Sequence, residues 1–381
     1  MTSERTCQQI RIITKIAAWG CLASMLLCYP LWLNERMFPT SPVFDVLPPI
    51  AHPLDYILLG ITALTLLIIG IIRNPQYWIL LFLIEGLLMA IYDLNRWQPW
   101  FYQYMLMFFA LAFFNYRCDD TKKLNALSSI FKLMIAAIYF WSGLQKFNSN
   151  FLSDTFPWLM EPITQHLGEN SIKHFRMLGL AFPLIESISG IMLLINPIKK
   201  MGLVLIISMH VFILLVIGPF GHNYNFVVWP WNVAMILFSL TLFNNEEPFD
   251  FMNIRNMLRY HFTKIILVLF ILLPQLNFFN LWDSYLSHNL YSGNTASGDL
   301  YFTDSVQQEL PEQIKKYATI SDKEHVIPIK YWCMKELGVP AYPEKRNFES
   351  VRDHFYKYSS DSSHIYLIVT PKTKLNDEKN Q

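Results

Sequence analysis

The chain has 381 residues, of which 53% are hydrophobic, 15% aromatic and 15% charged, and its formal net charge is +1. Soluble domains carry about 25% charged residues, and the mean hydropathy here is positive, +0.28. These values exclude an ordinary soluble enzyme, a disordered chain and a fibrous repeat; they leave an integral membrane protein with the lipid bilayer as its first partner, and no basic field to hold nucleic acid.

A bilayer-crossing helix needs about 20 mainly apolar residues. In chain order the candidate spans are 12–33, 54–72, 77–92, 100–116, 124–145, 178–195, 201–217, 227–243 and 261–280, about nine in all. Short loops rich in Lys and Arg stay in the cytoplasm. Arg5, Arg11 and Lys15 precede the first span, and Arg73, then Arg117, Lys122 and Lys123, then Lys199 and Lys200, then Arg255, Arg259 and Lys264 fall in every second loop after it. This alternation places the N-terminus in the cytoplasm and everything after residue 280 outside. The first span is read as retained, because Pro30, Leu31 and Trp32 follow it in place of a small-residue cleavage site.

The expected fold is therefore an all-α polytopic membrane bundle, residues 1–280, followed by a small extracytoplasmic α+β cap, residues 281–381. Within the cap, Leu300–Phe302 and Ile365–Val369 read as strands, and Leu310–Tyr317 and Phe348–Tyr358 as short helices. The five cysteines, Cys7, Cys21, Cys28, Cys118 and Cys333, form no CxxC pair, so neither a zinc cage nor a thioredoxin-type motif is expected. Cys333 is the one cysteine in the cap, which therefore has no internal disulfide.

Ionisable residues at membrane depth are costly and face the bundle interior. Four stand out: Glu85, Lys146, Glu186 and His210. At a rise of about 1.5 Å per residue, Glu85, Glu186 and His210 lie on the order of 9–12 Å below the outer end of their spans. Lys146 is nearer that end, with a stem long enough to dip inward. Two readings follow. In one, a Lys146–Glu186 or His210–Glu186 pair only orders the bundle, and Glu85 is a hydrogen-bonded helix residue. In the other, Lys146, Glu186 and His210 line an outward pocket in which the lysine acts as a base. The outer loops Asp93–Trp100 and Ile217–Trp231 are broken by Gly and Pro and rich in aromatic residues. They make Trp141, Trp100, His222 and Trp229 candidates to contact a cofactor, although the tryptophans also fit an interfacial belt and His222 also fits a plain loop residue. No catalytic triad order, phosphate loop, dinucleotide fingerprint or HExxH helix is present, and no metal site is expected.

The stretch Ile138-Tyr139-Phe140 through Gly143 and Lys146, then Phe156-Pro157-Trp158-Leu159, Ser208-Met209-His210 and Ile217-Gly218-Pro219-Phe220 resembles the membrane domain of the vitamin K-dependent γ-carboxylases and their broader HTTM relatives. The likeness covers roughly residues 10–280. It implies an active site on the outer side, with Lys146 at the position of the family's catalytic base and His210 at that of a histidine in the same helix. It also implies a reduced quinone as cofactor and a peptide or protein partner on the outer face. Gln145-Lys146 replaces the carboxylases' Lys-Lys pair, and Gln98-Pro99-Trp100 replaces a run that supplies a catalytic histidine. The resemblance thus carries a fold and a quinone-linked, carboxylase-like chemistry as one expectation, and a non-catalytic membrane scaffold with the same fold as the other.

Overall fold

The computed structural model describes residues 3–373 except 45, 115, 117, 166–177, 245–248, 250, 252, 253, 322, 323 and 360. The chain is mostly helical. Its principal helices are α1 (Ser3–Leu27), α2 (Leu54–Ile71), α3 (Gln76–Ile91), α4 (Pro99–Ala112), α5 (Thr121–Gln145), α6 (Phe156–Thr164), α7 (Ala181–Met192), α8 (Lys199–Ile217), α9 (Val228–Phe243) and α10 (His261–Ile266).

Sequence chemistry sets the helix ends. The Asp120 carboxylate caps α5 by accepting from the Lys123 backbone N–H at 3.0 Å. Pro99 opens α4 where a missing N–H costs nothing. Pro30 stops α1 short of the expected end at 33; one further turn, Tyr29–Trp32, follows. Pro274 deprives the last helix of a backbone donor, and there α10 widens into a π-helical turn at Leu267–Leu272 and then tightens into a 3₁₀ stretch at Leu273–Phe279.

Five described helical stretches are long and apolar enough to cross a bilayer: Glu4–Leu27, Leu54–Ile71, Thr121–Gln145, Asn196–Ile217 and His261–Phe279. Gln76–Ile91, Leu178–Met192 and Val228–Phe243 are apolar but shorter. Among the described residues, length alone supports five of the expected nine, because a helix of 16 residues rises only about 24 Å against a hydrocarbon core of about 30 Å. Helix α4 is shorter still and buried along nearly its whole length.

The chain after residue 280 builds a four-stranded antiparallel sheet in the order β2-β3-β1-β4, from β1 (Ser297–Phe302), β2 (Thr319–Ser321), β3 (Glu324–Pro328) and β4 (Ile365–Thr370). The two expected strands pair with each other, Leu300 opposite Leu367. Gly298, Leu300 and Phe302 alternate inward along β1. Helices α11 (Ile329–Leu337) and α12 (Lys345–Phe355) pack on the sheet through Trp332, Phe348 and Phe355. β2, β3 and α11 have no counterpart in the sequence reading. The helix expected at Leu310–Tyr317 shrinks to Glu312–Lys315, and the one at Phe348–Tyr358 starts earlier.

Buried polar contacts fix this unit to one end of the bundle. The Asn95 side chain accepts from the Tyr342 backbone N–H at 2.9 Å and exchanges amide hydrogen bonds with Asn347 at 3.0 and 3.2 Å. Gln98 donates to the Pro340 carbonyl at 3.0 Å. Beneath them the fully buried Arg96 guanidinium donates to the carbonyls of Leu31, Met89 and Trp32, tying the Tyr29–Trp32 turn to the end of α3. At the opposite end, a disulfide joins Cys7 on α1 to Cys118, a pairing the sequence reading did not include. Cys21, Cys28 and Cys333 are free and buried.

Candidate functional site

The site begins with two glycines. A Cβ on Gly143 of α5 would stand 2.6 Å from both the Pro183 carbonyl oxygen and the Ser187 backbone nitrogen of α7. A Cβ on Gly190 would stand 2.5 Å from the Ala136 carbonyl oxygen. The absence of side chains at these positions lets the two backbones touch, as small residues do at membrane helix crossings. Ser187 Oγ reaches across to donate to the Phe140 carbonyl at 3.3 Å.

This approach brings Glu186, beside Ser187, to the end of α5. There Lys146 Nζ donates to Glu186 Oε2 at 2.9 Å, to Ser142 Oγ at 2.6 Å and to the Ser142 carbonyl at 3.1 Å. Three acceptors meet the three protons of the ammonium. The two charged side chains are only 13% and 11% exposed.

A second polar group lies on α8 and α9. His210 Nδ1 is 2.7 Å from Asn232 Oδ1, and His210 Nε2 is 2.7 Å from the Tyr139 hydroxyl. Asn232 Nδ2 donates to the Val228 carbonyl at 2.8 Å, which turns Oδ1 toward the histidine. Oδ1 can only accept, so Nδ1 carries the proton, and Nε2 accepts from Tyr139.

Both groups line one cavity of about 310 Å³. The remaining wall is almost wholly apolar: Ile138, Phe182, Leu205, Met209, Phe212 and Trp231 are typical of it. This chamber is closed on the side of the cap by His288, Leu290 and Tyr291. His288 is buried and holds left-handed backbone, φ 60°. Burial pushes its imidazole down to about 3, with the Phe270 carbonyl as hydrogen-bond partner, and its Nε2 has no partner. Leu290 and Tyr291 also wall a second, more polar cavity of about 590 Å³ beneath the cap.

Of the residues singled out in the sequence, the structure brings Lys146, Glu186 and His210 into one wall. Glu85 is elsewhere, accepting from Thr65 of α2 at 3.3 Å. The aromatic candidates do not line the chamber. Trp141 donates to the Ile271 carbonyl at 3.1 Å and packs on Phe140 and Phe278. Trp100 is fully buried among Trp32, Phe101 and Tyr104. Trp229 packs against Phe226. His222 stacks on Trp158 at 4.3 Å, donates to its carbonyl at 2.6 Å, and walls the second cavity. The sequence reading missed Tyr139, Asn232, Trp231 and His288. Tyr139 and Asn232 carried a usable signal, since they sit in apolar runs as His210 does; His288 carried none, because it falls in a polar stretch.

Among the described residues no group of three or more His, Cys, Asp or Glu side chains is placed to hold a metal ion. No family model, no curated protein and no solved structure matches this chain.

Proposed function

We propose that this membrane protein binds a lipid-soluble molecule in the chamber, and that Lys146 and Glu186 perform acid–base chemistry on that molecule's polar end. The observation that supports this is the position of the ion pair: it lies in the wall of an apolar cavity and not in packed interior. A purely structural pair is best enclosed on all sides, because burying charge is costly. Here the charged heads border a space within the range of small-molecule pockets.

The mechanism rests on the pair itself. While paired, Lys146 is an acid. Transfer of one proton from Nζ to Glu186 Oε2, across 2.9 Å, leaves a neutral carboxylic acid and a free amine, and an amine in a dry pocket is a competent base. Ser142 Oγ keeps the amine aimed during that transfer. The Tyr139–His210–Asn232 chain offers further polar contacts along the same wall.

On this reading the chain is an HTTM-type relative of the vitamin K-dependent carboxylases, with about nine membrane-crossing elements, its N-terminus cytoplasmic and residues 281–381 outside. The alternating basic loops support that orientation. A reduced quinone fits the chamber as its resident cofactor: the wall is largely apolar, and the buried His288 Nε2, which has no partner, would accept from a hydroxyl at its polar end. When bound it would supply the redox chemistry; Met209, Phe212 and Trp231 would hold its ring.

The test is Lys146→Ala in purified protein supplied with a reduced naphthoquinone. Loss of quinone turnover with an unchanged unfolding midpoint supports the reading. Unfolding of the variant, or unchanged turnover, sinks it in favour of the scaffold reading.

A further inference from the structure

The second cavity is larger than the chamber, about 590 Å³, and none of the chemistry above uses it. Its walls come from both halves of the chain. Trp158 of α6, with His222 and Tyr224 of the loop after α8, comes from the bundle; Lys330 of α11 and Phe348 of α12 come from the cap. Lys330 is the cation in this wall. It opens onto this cavity and onto an adjoining cleft of about 760 Å³, and among the described residues no hydrogen bond or ion pair engages it.

Three carboxylates lie nearby, and none pairs with Lys330 at salt-bridge distance. Asp154, in the same wall, is exposed and accepts from Ser153 Oγ at 2.8 Å. Asp299 faces the adjoining cleft without pairing to Lys330 at salt-bridge distance. Glu336 is occupied by the Phe38 backbone N–H and the Trp332 indole. Lys330 is exposed to solvent, and crowding by neighbouring atoms lowers its ammonium from its usual range.

We propose that this vestibule is a binding site for a small organic anion, carboxylate or phosphate, with the anionic group on Lys330 and its body between the Trp158–His222 stack and Tyr285. An ammonium with three unused donors fits either oxyanion, and the aromatic walls favour a ligand with a flat or apolar body over a bare ion. Leu290 and Tyr291 wall both this site and the chamber. It does not depend on what the chamber binds.

The experiment uses full-length protein in phosphatidylcholine nanodiscs at constant ionic strength. Sodium benzoate and sodium phosphate are titrated in turn, and phosphatidylglycerol is introduced in a third series. Two readouts are followed: the unfolding midpoint, and the rate of trinitrophenylation of Lys330 against that of the cap-surface Lys335, by peptide mass spectrometry. The expected result is saturable protection of Lys330 but not Lys335, with affinity weakened roughly tenfold or more in Lys330→Gln and retained in Lys330→Arg. Protection by phosphatidylglycerol alone identifies the anion as a lipid headgroup; protection by benzoate or phosphate identifies a soluble one; either supports the site. Unchanged Lys330 labelling in all three series overturns it, as does an identical midpoint response in wild type and Lys330→Gln. Should Lys330→Gln not fold, the labelling of wild-type protein decides alone.

Discussion

Gly143→Ala is the sharpest probe of how the ion pair is built. The new Cβ would meet the Pro183 carbonyl oxygen and the Ser187 nitrogen at 2.6 Å, where ordinary contact begins at 3.4 Å. Both are backbone atoms, so no rotamer change relieves the clash and α7 must retreat by about 0.8 Å, an overpacking shift of the kind that costs about 1–3 kcal/mol. The same retreat lengthens the 2.9 Å Lys146–Glu186 contact past hydrogen-bond range and breaks the 3.3 Å bond from Ser187 to Phe140. Thermal unfolding in mild detergent should fall by several degrees, on the order of 2–4 °C per kcal/mol, and binding of a lipophilic fluorescent probe in the chamber should weaken. Gly60→Ala on α2 is the control: nothing lies within 4 Å of its Cβ, and helix propensity should make it neutral or up to about 1 kcal/mol stabilising. If Gly143→Ala matches Gly60→Ala in stability and in probe binding, the argument from close helix approach is wrong.

Tyr139→Phe removes the donor to His210 Nε2 and leaves a buried acceptor unmet, so unfolding should become easier by about 1–3 kcal/mol, with probe binding largely kept; no change in stability would mean that the 2.7 Å contact is not formed. Asn95→Ala should loosen the cap, measured as faster hydrogen exchange at the Tyr342 backbone amide, which donates to the Asn95 side chain; exchange as slow as in wild type would count against that anchor. Burial beside Lys357 holds the His354 imidazole down at about 4, so the folded cap resists protonation that the unfolded chain accepts near 6.5. Stability is fully present above about pH 6.5 and is lost as pH falls toward 4, by on the order of 2 kcal/mol after allowance for solvent screening; His354→Gln should flatten that slope in pH-dependent urea unfolding. Ser362→Cys, on the exposed edge of the cap, should react with a membrane-impermeant maleimide in intact cells, whereas labelling only after permeabilisation would invert the proposed orientation.

Much of this arrangement was legible before any coordinates. A lysine, a glutamate and a histidine inside apolar runs are conspicuous, because few residues can remain charged or polar there without a shared purpose. Lys146, Glu186 and His210 therefore announced themselves, and counting residues from the outer loops put them at similar depth. What counting could not supply was side-chain direction. Glu85 has the same depth but points to Thr65, and the tryptophans at 100, 141 and 229 turn into packing away from the chamber. Neither glycine of the α5–α7 contact was read as its cause, since a glycine's role is defined by what approaches it. His288 and Lys330 were hidden for another reason: in a polar segment such residues look like plain surface until the fold sets them in a cavity wall. The short strands Thr319–Ser321 and Glu324–Pro328 escaped because runs of three and five residues carry too little alternation to be seen. Gln98 and Asn95 sit in a loop marked out for its aromatics, yet they serve as the cap's amide clamps.

The Cys7–Cys118 bond spans a sequence separation of 111 residues, so it turns α1 to α4 and their connecting loops into a covalent ring. A protease that nicks any single loop within that ring leaves both fragments attached. The cleaved protein would migrate as an intact chain until a reductant is added, and only then separate into two pieces. Limited digestion followed by electrophoresis with and without dithiothreitol would reveal that closure directly.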